Sequence, residues 1–370
     1  MAKIQFDRET LLSRLKLLAS IIPKKPVLGA HEQFRFNIVA GSASVTSTDG
    51  SKQITVTCDT TKCDGDIMFT IPGKLLVSTL GLLMDSEVKL DVKETQVVLK
   101  CGRSTYKLAS ENGRSYPMMP EIKSNFEASF AGAIFNEAMQ TANKYTNSES
   151  SVVAQQGVNL HFDDGKVNAY GFKGNEFCKI VIKPRSVNSW DDILIPTATV
   201  KTMVGCVNDS DIVDVFHDNE RIEIRTSSVS IIAVTHDIKY PDVEHFYKKR
   251  PDTCAKYNTV QFLKALERLQ PYASEESPLL VIDIKTASTV MTVDNAAYSM
   301  DGVEEIDAIA PLECRIGMNV NFMINALRSF TNDEFFIFYS EPNKPLFIEP
   351  SNIAKDNDKF ILLAPMSLSN

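Results

Sequence analysis

The stretch IPTATVKTMVGCVNDSDIVDVFHDNERIEIRTSSVSIIAVTHDIKYP, residues 195–241, decides the fold. It opens with Ile195-Pro196 and enters a helical pattern at Val200, Met203, Val204 and Val207. After a turn at Asn208-Asp209 it runs as strands through Val213, Val215, Ile222, Ile224, Ile231 and Val234, and closes on Tyr240-Pro241. The same unit stands before it. There Ile71-Pro72 leads a helix with Leu75, Leu76, Leu80 and Leu83, then a turn at Asp85-Ser86. Strands follow through Val88, Leu90, Val97, Leu99, Tyr106 and Leu108, and Tyr116-Pro117 closes the unit. A third copy follows: a helix at Val320, Met323, Ile324 and Leu327, a turn at Asn332-Asp333, and strands at 335–338, 346–348 and 360–363. Pro72 and Pro196 lie 124 residues apart, as do Pro196 and Val320. Solenoid repeats run at roughly 20 to 50 residues, so a period this long is a whole domain used three times.

Each copy carries a second helix upstream. These are Arg8 to Ile22 (Leu11, Leu12, Leu15, Leu18), Ala133 to Tyr145 (Phe135, Ala138, Met139, Ala142) and Thr259 to Tyr272 (Phe262, Leu263, Leu266, Leu269). Between the helices of each copy lies a strand pair, marked by Gly50, Gly174 and Asn295 at corresponding places. Strand patterns such as Val88-Lys89-Leu90-Asp91-Val92 bury one face and leave the other wet. The expected class is therefore α+β, with three similar domains that each pack two helices on antiparallel sheets. Polar links after a proline place the domains at 1–125, 126–253 and 254–370.

At 370 residues, 44% hydrophobic and 23% charged, the chain has an ordinary globular composition. No apolar run reaches the roughly 20 residues that span a bilayer, and no signal-peptide core follows Met1-Ala2-Lys3. A cytoplasmic location is expected. Seven scattered cysteines without a C-x-x-C pair point to free thiols, with neither a disulfide framework nor a zinc site. The five histidines form no H-E-x-x-H, and phosphate-loop, dinucleotide and nucleophile-elbow motifs are absent from the sequence. Acidic pairs at Asp163-Asp164, Asp191-Asp192 and Glu304-Glu305 sit beside turns, where solvated carboxylates are the rule. No catalytic residue, metal or cofactor is expected.

The net charge of -8 argues against a nucleic-acid partner, but its distribution reverses that argument. The six helical segments and their ends hold eleven basic residues, among them Lys24, Lys25, Lys74, Lys144, Lys201, Lys264, Arg268 and Arg328. Only three acids oppose them, leaving the helices at +8 and the rest of the chain at -16. A basic helical surface and an acidic sheet surface suit sequence-blind contact with a polyanion backbone. A three-domain structural assembly protein with no DNA role is the alternative from another class.

Together these features resemble the bacterial DNA polymerase III beta subunit, the sliding clamp, over the whole chain. The resemblance rests on the threefold repeat, on Ile71-Pro72-Gly73-Lys74-Leu75, on Cys101-Gly102-Arg103-Ser104-Thr105-Tyr106-Lys107-Leu108, on Lys239-Tyr240-Pro241-Asp242, and on the ending Phe360-Ile361-Leu362-Leu363-Ala364-Pro365-Met366-Ser367-Leu368. It implies a clamp fold and a head-to-tail homodimer closed as a ring around double-stranded DNA. It also implies a replicative polymerase and other clamp-binding-motif proteins as clients, and an ATP-dependent loader. By the same resemblance the dimer contact uses Lys74, Arg103, Tyr106, Lys107 and Leu108 against Tyr272, Asp301, Glu304 and Glu305 of the partner chain. An apolar edge carrying Tyr106 and Leu108 would be a liability if left uncovered. A client-peptide pocket between the second and third domains is implied at Phe172, Gly174, Phe177, Pro241, His245, Phe246, Phe322, Leu362, Pro365, Met366 and Leu368. The chain departs from the family pattern at Phe172-Lys173-Gly174-Asn175-Glu176-Phe177, where relatives carry Thr-Asp-Gly, then basic residues and Leu. Further departures are His245, Ser367 and the trailing Ser369-Asn370.

Overall fold

The computed structural model describes residues 2–123, 126–163, 165–188, 192–351 and 359–368. Among them are seven α-helices: α1 (Arg8–Ala19), α2 (Gly73–Leu82), α3 (Gly132–Asn143), α4 (Thr197–Cys206), α5 (Glu244–Tyr247), α6 (Thr259–Leu269) and α7 (Val320–Leu327). All but the single turn α5 follow a strand without a loop. The junction residue makes that switch. Asp7, Asn258 and Asn319 stay extended, and their side chains accept hydrogen bonds from first-turn N–H groups of α1, α6 and α7. Pro72 and Pro196 hold the same place before α2 and α4; with no N–H to give, they end the strand ladder. Gly73 then has no room for a side chain, since a Cβ would stand 2.7 Å from both Ile22 and Phe34.

The chain forms two compact units. The first comprises Met1–Asn136 and Pro184–Asp237. One antiparallel sheet of this unit has the order Lys62–Cys63, Ala2–Asp7, Glu87–Val92, Gln96–Cys101, Ser104–Ala109, so the last strand is an edge. A second sheet runs from Ser186–Val187 through Phe126–Ala131, Ile212–His217, Arg221–Arg225 and Val229–Val234. It continues through Lys52–Asp59, Ser42–Thr48 and Gln33–Val39 to Ile67–Pro72. Its seam joins two sequence repeats, with Ile231 opposite Ile54 and Val229 opposite Val56. All four side chains are buried. Helix α1 lays Leu11, Leu15 and Leu18 inward and packs on α2.

The second unit comprises Glu137–Lys183 and Ile238–Asn370. Its larger sheet orders Gly157–Asp163, Lys166–Lys173, Glu176–Ile182, Lys359–Leu363, Leu346–Pro350, Glu334–Phe338 and Cys254–Asn258. Here too the seam joins two repeats: Phe177 faces Leu362 and Cys178 faces Ile361. A smaller sheet orders Met300–Asp307, Ser288–Asn295, Leu279–Ile284 and Cys314–Asn319, leaving Met300–Asp307 as an edge. Tyr257, Phe262 and Phe335 meet at ring distances of 4.9, 5.3 and 5.5 Å beneath α6. This is the α+β architecture expected from the repeat, with sheets shared between neighbouring repeats. All seven cysteines are unbridged, and Cys58, Cys101, Cys178 and Cys206 are buried. No helix among the described residues is long and apolar enough to cross a membrane.

Candidate binding pocket and charged surfaces

A hairpin turn places the pocket. Lys173 and Glu176 pair across Gly174-Asn175, and Gly174 takes a φ of 54°, a backbone that favours glycine. The Ala364 N–H donates to the Asn175 carbonyl at 2.9 Å, tying the chain's last strand to the turn. Between them lies a cavity of about 390 Å³. Six expected residues line it: Phe172, Gly174, Phe177, Pro241, Phe246 and Leu362. Phe177 is held from behind by Tyr170 and Phe360, each 5.8 Å away ring to ring. Phe246, on α5, is 50% exposed and forms the open wall. A smaller cavity of about 270 Å³ shares Phe246, Pro345 and Leu362 and carries Lys249 and Lys344 at its rim.

Five expected residues are absent from this lining. His245 is exposed and meets only the edge of Phe246 among ring contacts of the described residues, at 6.2 Å. Met366 and Leu368 are drawn to the smaller sheet instead, and Pro365 precedes them. The Met366 N–H donates to Gly317 at 2.8 Å, and Gly317 has no side chain to keep Leu368 away. Phe322 stays half-buried in the first turn of α7, where the Asn319 cap fixes it. Conversely, Asn175, Glu176, Val243, Pro345 and Ala364 line the cavity without having been singled out as pocket residues. Glu176 is the unexpected one. It is 3% exposed, and burial, only partly opposed by Lys173, pushes its carboxyl up to about 7.

The eight expected backbone-contact residues are all exposed. Lys74 donates to the Pro23 carbonyl at 3.0 Å, which brings the Lys24-Lys25 loop to the start of α2. Two of the eight are engaged elsewhere. Arg268 forms a two-pronged pair with Glu304 at 2.6 and 2.7 Å, and Arg328 pairs with Glu267 at 2.7 Å. Their charge is thereby partly cancelled on their own chain.

At the edge strand Ser104–Ala109, Tyr106 is 40% exposed, and Arg103 and Lys107 are exposed beside it. Leu108 is not part of that face. It is 4% exposed, because it pairs with Val97 and turns into its own sheet's core, which corrects the expectation of an apolar edge at this position. Tyr272 is 45% exposed, and Asp301 and Glu305 are exposed along the other edge strand, whereas Glu304 is already occupied by Arg268. Of the acidic pairs, Asp164 and Asp191 lie outside the described residues, as do residue 125 at the first expected domain boundary and Ser369-Asn370.

Residues 2–120 match the family described as the N-terminal domain of the DNA polymerase III beta subunit. The beta sliding clamp of Staphylococcus epidermidis is 22% identical over 295 residues, covering 78% of this chain and 76% of that protein. That of Staphylococcus aureus is 18% identical over 362 residues, covering 95% and 96%. Among solved structures, the DNA polymerase III subunit beta of Pseudomonas aeruginosa has a TM-score of 0.92 at 16% identity, covering 99% of this chain and all of that one. A Pseudomonas aeruginosa sliding clamp bound to griselimycin has a TM-score of 0.93, also at 16% identity and with the same coverage.

Proposed function

We propose that this chain is a bacterial sliding clamp of the DNA polymerase III beta subunit family and works as a DNA polymerase processivity factor: a ring that tethers a polymerase to duplex DNA. In this reading the chain has three clamp domains, 1–125, 126–253 and 254–370, and closes head to tail with a second copy. The observation that carries it is the exposure of cations at all three pairs of repeat helices, in a chain whose net charge is -8. Contacts of that kind bind phosphates without reading bases, so they exchange easily and permit sliding. Topology, more than affinity, would keep the ring on DNA.

The Lys24-Lys25-Lys74 group is the strongest candidate for phosphate contact. Arg268 and Arg328 contribute less, since each already has a carboxylate partner. The edge with Arg103, Tyr106 and Lys107 would meet the edge with Tyr272, Asp301 and Glu305 of a second copy. The cavity beside Phe177 would take the apolar end of a client peptide. Loading by an ATP-dependent partner, a cytoplasmic location on the nucleoid and the lack of catalysis belong to the same reading.

The test is primer extension on circular template with polymerase and loader, comparing the chain with a Lys24→Glu, Lys25→Glu variant. Product length should fall several-fold in the variant while its mass in solution stays that of the parent. Full-length product would remove both lysines from the DNA surface. Scattering from a hollow annulus of two-chain mass is the companion measurement, and a compact particle would exclude the ring.

A further inference from the structure

The apolar cavity beside Phe177 does not end at Phe246. That ring, with Pro345 and Leu362, also walls the neighbouring cavity of about 270 Å³, whose apolar lining includes Pro251 and Phe347. Two lysines, Lys249 and Lys344, line the same space, and no acid does so among the described residues. Tight turns hold both backbones. The Lys249 N–H donates to the Phe246 carbonyl at 3.1 Å, and the Lys344 N–H donates to the Glu341 carbonyl at 3.0 Å. Arg250, between Lys249 and Pro251, is already committed: it pairs with Glu349 at 3.3 Å and lies 3.9 Å from the centre of the Phe338 ring. Lys249 and Lys344 are exposed and form no such pair among the described residues.

We propose that this second cavity is a carboxylate subsite, which makes the chain prefer peptides whose apolar anchor is followed by a carboxylate, either the terminal one or an acidic side chain. The inference rests on the reading of the first cavity as a client-peptide site and names what that site selects beyond the anchor. The anchor would fill the space beside Phe172, Phe177 and Leu362, and the peptide would cross Phe246 to bring its carboxylate to Lys249 and Lys344. An apolar anchor at the end of a peptide is followed by the terminal carboxylate, so the group that reaches the second cavity is an anion. Each ammonium is a compact charge with three rotatable donors, which lets the pair accept a carboxylate from either source. The apolar walls exclude water from one side of the contact, so the attraction is stronger there than on open surface. A cationic residue in the same place would meet like charge and be disfavoured.

Fluorescence anisotropy on the full chain tests this with peptides that carry Leu-Leu-Phe and a label at the other end. One stops there with a free carboxylate, a second stops there as the amide, and two further amides add aspartate or lysine after the phenylalanine. The free-acid and aspartate peptides should each bind about fivefold more tightly than the plain amide, the size expected for two partly exposed charge contacts. The lysine peptide should bind most weakly. Raising the salt from about 0.05 to about 0.5 M should shrink these differences, because contacts at exposed lysines are screened. Lys249→Met with Lys344→Met should bring all four peptides to within about twofold of one another. Thermal melts establish that the variant is folded. Tighter binding of only one of the two carboxylate peptides would support the subsite and identify the source it accepts. Equal binding of all four peptides by the parent would overturn the subsite and leave the anchor cavity in place. A preference that persists in the double variant would overturn it as well, by assigning the cation elsewhere. Failure of every peptide to bind would overturn the client-peptide reading and this inference together.

Discussion

Glu176 ties protonation to folding. Its folded carboxyl lies at about 7 against an ordinary 4.5, so the protonated form is the one the fold favours. The sign follows: stability associated with this group is fully present below about 4.5 and is lost as the pH rises through about 7. Glu176→Gln keeps the volume and removes the titration. In urea unfolding, the parent should therefore lose stability relative to this variant between pH 4.5 and 7. A parent-minus-variant difference that stays flat over that window would mean the carboxyl is solvated. Cys178 behaves as an inert core thiol, pushed up to about 12 by complete burial, and should resist thiol reagents at pH 8 until the chain unfolds. Neither property is visible in the one-dimensional pattern. A glutamate next to Gly174-Asn175 reads as a solvated turn residue, yet it stands in a strand flanked on both sides, by Lys166–Lys173 and by Lys359–Leu363. Phe172, Phe177 and Leu362 were readable as pocket residues from the family resemblance, but His245 and Met366 were not separable from them. Met366 is held by a backbone bridge to Gly317, set at long range, and His245 is exposed.

Elements switch from strand to helix at a single residue, and that residue carries a measurable share of stability. Asn258 accepts from the Gln261 N–H at 2.9 Å, and replacing it by alanine should cost about 1 kcal/mol. Phe262 lies under the same helix between Tyr257 and Phe335, fully buried, and Phe262→Ala should cost about 3–5 kcal/mol by emptying the cluster. Both are read from denaturant midpoints. A ratio near one would show that α6 is held by its ends more than by its apolar face. The helices were legible because their stripes repeat three times in phase, as at Leu11-Leu15-Leu18 and Phe262-Leu266-Leu269. The two seams were not. Pairing of Val229–Val234 with Lys52–Asp59 joins residues far apart in sequence, and each strand alone shows only that it has a buried face. Each seam fuses strands of neighbouring repeats into one sheet.

At the scale of the whole molecule, Ser104–Ala109 and Met300–Asp307 are two of the strands that stand at sheet edges among the described residues. Exposed edges invite another strand, and their charges decide which one. Arg103 precedes the first and Lys107 stands exposed on it, and Asp301 and Glu305 stand exposed on the second, so the charges of the two edges are complementary. Because each edge lies on a different unit, pairing one with the other in a second copy is heterologous, and it closes only if the rotation per chain allows it. Reversing one side should break this match. Arg103→Glu with Lys107→Glu should convert a two-chain particle to single chains, and adding Asp301→Lys with Glu305→Lys should restore the two-chain mass. All four side chains are exposed, so the fold itself should tolerate both sets. The effect should be larger at low salt, since surface charges are screened beyond about 10 Å at 0.1 M ionic strength. Glu304 is deliberately spared, because its pair with Arg268 would be lost along with any contact across the interface. Loss of the two-chain mass in the first variant without recovery in the second would assign Arg103 and Lys107 to the closure but give them some other partner than Asp301 and Glu305. A two-chain mass that survives the first reversal would move the closure to a different surface altogether.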